Sequence, residues 1–135
     1  MIGKPSFTAP PTLVDIEQMA RTALATIPET LRRHAGDVVI RVEEFPDEEV
    51  EEEMALETPF DLLGLYRGVA LTHRSVTMPS QHTDMVFLYR RPLLDYWCET
   101  GEDLEDIVRH VLIHEIGHHF GFSDADMERI ETEGQ

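Results

Sequence analysis

The chain has 135 residues, 41% of them hydrophobic, and a formal net charge of −16 at pH 7. This length and composition fit one compact domain with one ordinary core. So negative a chain argues against binding nucleic acid or an anionic membrane surface, because both require clustered Lys and Arg. A basic protein partner would suit the charge better.

Signals for disulfides, export and membrane insertion are missing from the sequence. Cys98 is the single cysteine, so no internal disulfide can form. The first residues, "MIGKPSFTAPPTLVD", contain no apolar core of signal-peptide length, and no apolar run approaches the length of a membrane span. The sequence therefore predicts a reducing, cytoplasmic setting without membrane contact.

The first predicted element is an N-terminal helix. Thr12 and Asp15 have the spacing of a capping box. Apolar residues recur at helical spacing from Leu13 to Ile27, and Pro28 ends or kinks the helix. The letters "ETLRRHAG" predict one more turn, which stops at Gly36.

Three strands are predicted next, at "DVVIRVEEF", "LLGLYRGVAL" and "MVFLYR". The third should stop near Pro92, since proline cannot donate to a sheet ladder. Between the first two strands, the acidic segment "PDEEVEEEMALE" favours a solvated helix or loop over a binding site for a basic partner. The segment "THRSVTMPSQHT" predicts a connection over the surface.

The last third of the sequence predicts a long helix. Thr100 and Asp103 have capping-box spacing before a broad apolar face over residues 104–112. Gly121 is placed to end this helix as a left-handed cap residue. The letters "DADMERIE" then predict a short terminal helix.

These elements predict an α+β fold. Neither an internal repeat nor a linker divides residues 12–135, which we interpret as a single compact domain. We expect a small mixed or antiparallel sheet that packs on the long helix, with the N-terminal helix beside it. Residues 1–11 carry three prolines and predict a mobile arm.

His114, Glu115 and His118 form the motif H-E-x-x-H. Residues four apart lie above one another on one face of a helix, so two imidazoles at this spacing can hold one metal ion from the same side. Glu115 lies at the flank of the pair, where its carboxylate can accept a proton from a metal-bound water. The motif predicts a metallohydrolase site with Glu115 as its base.

Gly121 and Asp124 extend the motif to H-E-x-x-H-x-x-G-x-x-D. A catalytic zinc ion usually has three protein ligands and a water. Gly121 can adopt the positive φ that turns the chain sharply, so that Asp124 returns beneath the metal. We expect one zinc ion per chain, held by His114, His118 and Asp124. This donor set does not separate zinc cleanly from other divalent metals.

His110 lies on the same helical face as His114 and His118. Eight helical residues span about 12 Å, so His110 and His118 cannot share one ion. A His110–His114 pair would leave Glu115 and Asp124 without matching roles. We therefore expect His110 to pack beside the site or to hydrogen-bond locally.

Three further residues near the motif are interpreted as secondary. His119 lies off the histidine face and is predicted to support the site or to lie at the surface. Glu128 and Glu131 are fallback candidates for the third metal ligand.

The segment "HEIGHHFGFSDADMERIE", with "FDLLGLYRGVALTHRS" and "VFLYRRPL", resembles the small bacterial zincin-like proteins that have a minimal, matrix-metalloprotease-like domain. The resemblance covers most of the chain from about Val38 onward. It implies a compact zincin-like fold and a zinc-dependent peptidase activity. It also implies His114, His118 and Asp124 as ligands, and Glu115 as the base, whereas the broader metzincin group has His at the last ligand position.

Hydrolysis of a peptide or protein substrate is the favoured function. An extended peptide is expected to add to the sheet at "GLYRGVAL" or "MVFLYR". Candidates for stabilising the oxyanion are Tyr66, His73, Arg74 and Tyr89. Two alternatives stay open, a metal- or peptide-binding module without turnover and a metal hydrolase for a non-peptide substrate such as RNA. The net charge of −16 disfavours RNA.

Overall fold

A computed structural model describes residues 9–35, 38–70 and 82–133. Most of the predicted arm, residues 1–11, and most of the predicted connection over 72–83 lie outside these ranges. Pro11 is described and fully buried, and Arg90 Nε donates to its carbonyl at 2.6 Å. The end of the N-terminal segment is therefore anchored to the domain.

Helix α1 spans Leu13–Thr26 and begins at the predicted capping box. Thr12 N donates to Asp15 Oδ2 at 2.8 Å, and Asp15 N donates to Thr12 Oγ1 at 3.1 Å. Helix α1 ends just before Pro28, and the expected extra turn is a separate helix α2, Glu29–Ala35. Both helices pack against the long helix of the C-terminal half.

The sheet contains β1 (Val39–Glu43), β2 (Gly64–Ala70) and β3 (His82–Tyr89) in the order β1-β3-β2. β1 runs parallel to β3 and β2 runs antiparallel to it, so the sheet is mixed. Because β3 is paired on both sides, the expectation that a peptide could add at "MVFLYR" is wrong. Within the described ranges, β2 keeps one edge unpaired.

The acidic segment forms a solvated helix, α3, over Glu48–Glu53. Asp47 caps it, since its carboxylate accepts from Val50 N at 2.8 Å. Val50 is buried, whereas the glutamates on either side of it stay at the surface. A short 3-10 turn, Pro59–Asp61, then leads into β2.

Helix α4, Arg90–Thr100, was not predicted. The chain passes from β3 into α4 without a loop, and Pro92 is its third residue, where a missing N–H costs no helical hydrogen bond. The predicted capping box at Thr100 and Asp103 is also wrong. Thr100 ends α4, where its hydroxyl donates to Tyr96 O at 2.9 Å. Asp103 instead caps the next helix, accepting from Asp106 N at 3.3 Å.

The long helix α5 spans Leu104–His119, and α6 spans Asp124–Glu133. α5 contacts α1, the sheet, α4 and α6, so it runs through the centre of the fold. Its residues Leu112, Ile113 and Ile116 are 0% exposed. The architecture confirms the predicted α+β class, with one compact domain built on this helix. In the described part of the chain, no helix is long and apolar enough to cross a membrane.

Candidate metal centre

One face of α5 carries a row of three histidines. The ring centroids of His110 and His114 lie 4.0 Å apart, and those of His114 and His118 lie 5.8 Å apart. The row follows from the helical repeat, which returns every fourth residue to nearly the same direction. The opposite side of α5 is apolar and buried in the core, so the backbone under the histidines is fixed.

The chain turns back under this row at Gly121, which has the predicted positive φ of 80°. Gly121 N donates to His118 O at 3.2 Å, and Phe122 N donates to Gly117 O at 2.9 Å. These bonds satisfy the last carbonyls of α5 and send the chain directly into α6. As a result, Asp124 Oδ1 lies 3.3 Å from His118 Nε2.

The structure brings together His114, His118 and Asp124, whose ligand atoms all lie within 4.8 Å of one another. Tetrahedral bonds of about 2.0–2.2 Å separate neighbouring ligand atoms by about 3.3–3.6 Å. The distance from His118 Nε2 to Asp124 Oδ1, 3.3 Å, lies in this range. The His118 and Asp124 side chains are 56% and 88% exposed, so one side is open to water and to a substrate. Two imidazoles and one carboxylate suit a catalytic divalent cation.

The pKa of His114 is lowered, first by burial and then by the neighbouring His110. A lowered pKa keeps the imidazole neutral at pH 7, which is the form that binds a metal. The surroundings of His114 therefore favour a ligand over a cationic side chain.

Glu115 points from the flank of the histidine row toward the sheet. Tyr66 N, on the edge strand β2, donates to Glu115 Oε1 at 3.3 Å. Burial raises the pKa of Glu115, while the Tyr66 N–H and His118 oppose that rise. A carboxylate with a raised pKa holds a proton more strongly, as a general base must.

His119 makes a contact that its position off the histidine row did not reveal. Its ring stacks on that of Tyr66, with centroids 3.9 Å apart and an angle of 21° between the planes. Glu115 and His119 are four residues apart and thus share a second face of α5, directed at β2. That spacing was visible in the sequence and could have placed His119 beside the base.

Glu131 and His110 form a contact of their own. Glu131 Oε1 lies 2.6 Å from His110 Nδ1 and 3.6 Å from His114 Nε2. The fallback ligand Glu131 therefore meets the opposite end of the histidine row from Asp124. Glu128 is exposed and belongs to neither group of side chains.

Two of the four oxyanion candidates are described, and both are poorly placed. The Tyr66 hydroxyl is buried, and burial together with nearby Asp84 holds its pKa well above the ordinary range. Tyr89 is 1% exposed. Neither hydroxyl is presented to a substrate, and His73 and Arg74 lie outside the described residues.

Fold and site together define a small zincin-type domain, in which a histidine helix lies against an edge strand. A profile of the zincin-like metallopeptidases matches residues 35–134. The chain belongs to the zincin-like metallopeptidase family, as the sequence resemblance implied.

The fold also recurs in a solved structure. A conserved hypothetical protein from Thermo thermophilus superposes with a TM-score of 0.51 over 81% of this chain and 94% of that chain, at 21% sequence identity. At this identity the likeness shows the fold alone. Among the curated proteins, none matches this chain.

Proposed function

We propose that this protein is a zinc-dependent peptidase that hydrolyses peptide bonds by activated water. The observation that carries the proposal is the convergence of His114, His118 and Asp124 beside Glu115, whose carboxylate the edge strand holds in place. A bound divalent cation supplies Lewis-acid chemistry, which polarises a carbonyl and makes water acidic.

Glu115 performs the proton transfers in this proposal. Its carboxylate accepts a proton from the attacking water and then delivers it to the leaving amine. The Tyr66 N–H holds one carboxylate oxygen and leaves the other free to meet the water. Stacking on Tyr66 fixes the His119 ring on the same side of α5 as Glu115, where it can orient a polar group of the substrate.

The substrate in this proposal is an extended peptide that adds to the open edge of β2. In an antiparallel pair, backbone groups point alternately toward and away from the neighbouring strand. Since Tyr66 N points to Glu115, away from β3, Gly64 and Gly68 direct their N–H and C=O to the same side. Strand addition there would carry the scissile bond past Glu115. The net charge of −16 favours peptides with Lys or Arg.

The experiment compares the native chain with Glu115→Gln and with a control, Glu128→Gln, which changes an exposed glutamate outside the site. We expect about one zinc ion per chain in all three proteins. Removing a general base should lower the hydrolysis of an unstructured peptide library roughly 10²–10⁴-fold. Glu128→Gln should cleave like the native chain.

Three results would count against the peptidase. A chain that purifies metal-free and cannot be loaded lacks the predicted ligand set. If the Glu115→Gln variant cleaves peptides as fast as the native chain, Glu115 is not the general base. A zinc-loaded native chain that retains peptides without cutting them is a binding module, the alternative that the sequence left open.

A further inference from the structure

Helices α5 and α6 carry two pairs of metal-ligand side chains. Asp124 lies near the start of α6 and meets His118 at the end of α5, with 3.3 Å between Oδ1 and Nε2. Two turns further along α6, Glu131 meets His110, with 2.6 Å between Oε1 and Nδ1. His114 lies between the two pairs and is close enough to share a metal ion with either of them.

We propose that His110, His114 and Glu131 form a second position for a divalent cation, which competes with the hydrolytic position formed by His114, His118 and Asp124. The ligand atoms of this second position also lie within 4.8 Å of one another. Both positions offer two imidazoles and one carboxylate, and hence the same donor types and the same formal charge. The inference rests on the proposed function only in that both require metal binding at His114.

The carboxylate of Glu131 is suited to hold a cation, although Arg109 Nη1 donates to the backbone carbonyl of the same residue at 3.4 Å. Glu131 Oε1 is buried, lies 2.6 Å from His110 Nδ1, and makes no hydrogen bond within the described part of the chain. A buried carboxylate oxygen without a hydrogen bond is unfavourable, and a coordinated cation would remove that cost. The Glu131 side chain is 21% exposed and that of Asp124 is 88% exposed, so the second position is the more enclosed one.

A cavity of about 730 Å³ gives a cation access to this position. His110 and Glu131 both line it, together with Leu63 and Tyr96. A metal site needs an entry path and room for the waters that complete its coordination, and the cavity provides both.

Occupation of the two positions is mutually exclusive, because a neutral imidazole has one ring nitrogen that accepts and His114 belongs to both. The second position lies about one helical turn before the hydrolytic one, toward the start of α5. An ion held there lies on the far side of His114 from His118 and Asp124. When the ion occupies the second position, the hydrolytic position beside Glu115 is therefore empty.

The experiment removes each position separately in the full chain. His118→Ala/Asp124→Ala deletes the hydrolytic position alone, and both of its side chains are more than half exposed, which spares the core. His114→Ala deletes both positions. Adding Glu131→Gln to the double variant deletes the second position as well, while Glu128→Gln serves as the control. Each protein is stripped with chelator, its folding is checked by circular dichroism, and it is then titrated with Zn²⁺ by calorimetry.

We expect the double variant to bind about one Zn²⁺ and His114→Ala to bind none at this site. Loss of a residue that only supports a metal ligand already costs about 10–100-fold in affinity, so loss of the ligand Glu131 should weaken binding at least roughly tenfold. A double variant that binds Zn²⁺ no better than His114→Ala overturns the second position, even where Glu115→Gln has established the peptidase. Failure of the peptidase, in turn, leaves this binding result unchanged.

A second measurement needs no variant. With less than one equivalent of Zn²⁺ in the native chain, the imidazole ¹⁵N signals of His110 should shift together with those of His114. His110 signals that stay unmoved while those of His114 and His118 shift would overturn the proposal even if the double variant failed to fold.

Discussion

Replacing Gly117 with Ala tests how α6 is held against the histidine helix. A Cβ at Gly117 would lie 2.4 Å from Met127 Sδ and 2.8 Å from its Cγ. Met127 is 0% exposed and cannot swing into solvent. Overpacking of this kind costs about 1–3 kcal/mol, whereas replacing Gly by Ala in a helix gains about 1 kcal/mol. The net loss of unfolding free energy should therefore be about 0–2 kcal/mol.

The sign of the effect should reverse when Met127 is shortened. Met127→Ala alone should cost about 2–5 kcal/mol, because it opens a cavity in the core. In that background Gly117→Ala meets no sulfur, and only the helix-propensity gain of about 1 kcal/mol remains. The coupling between the two substitutions should thus equal the clash, about 1–3 kcal/mol.

Urea unfolding of the four metal-free proteins measures this cycle, and metal is excluded because binding would add its own stabilisation. Zinc titration of the same proteins gives a second readout. Gly117→Ala should weaken zinc binding, since α6 must retreat and carries Asp124 with it. If Gly117→Ala stabilises the chain equally with and without Met127, close packing of the helices at this point is refuted.

Two further predictions concern the turn and the alkaline limit of stability. Gly121 has a φ of 80°, and a Cβ added there would meet nothing within 4 Å. Gly121→Ala should therefore lower the free energy of unfolding by about 1–2 kcal/mol through backbone strain alone, and should also weaken zinc binding. Gly121→Asn should partly restore both the stability and the zinc binding. Equal urea midpoints for the Gly121→Ala variant and the native chain would contradict this backbone cost. Burial, with Glu43 and Asp47, raises the pKa of Tyr89 to about 12. Because the folded pKa lies above the unfolded value near 10, stability is lost as pH rises from about 10 to 12, at most about 2.7 kcal/mol. Tyr89→Phe should flatten that decline in urea titrations, and an unchanged decline would assign it to other groups.

The ends of several helices were readable from the sequence because their signals are local. Thr12 and Asp15 exchange the two predicted hydrogen bonds, and Gly121 takes the predicted left-handed conformation. Each signal depends on residues within a few positions of one another. The convergence of Asp124 on His118 follows from the same local turn, which is why motif spacing alone could anticipate it.

Helix α4 was missed because its start carries no local signal. Tyr89 occupies the N-cap without a side-chain hydrogen bond to the helix. Pro92 was interpreted as a strand breaker, but it is equally suited to the first turn of a helix. The helix forms at this point because Leu93 fills the core and is 0% exposed, a tertiary contact that a single sequence does not display.

Strand order was also beyond the reach of the sequence. β1 and β3 pair in parallel, although a whole strand, β2, lies between them in the chain. Periodicity identifies strands without saying which ones pair, so both "GLYRGVAL" and "MVFLYR" seemed open to a peptide. The observed order puts β3 in the middle and β2 at the edge, where Tyr66 N meets Glu115.

The partnership of His110 and Glu131 was hidden for a different reason. The helical repeat excludes His110 and His118 as ligands of one ion, and that argument is correct, but it considers α5 alone. Asp124 and Glu131 are seven residues apart, two turns of α6, while His110 and His118 are eight apart on α5. An antiparallel packing of two helices brings both pairs into register at once. Because a Cβ at Gly117 would press on Met127 and thus on α6, Gly117→Ala should weaken cation binding at both positions. A variant that weakened only one would show that the two positions are held independently.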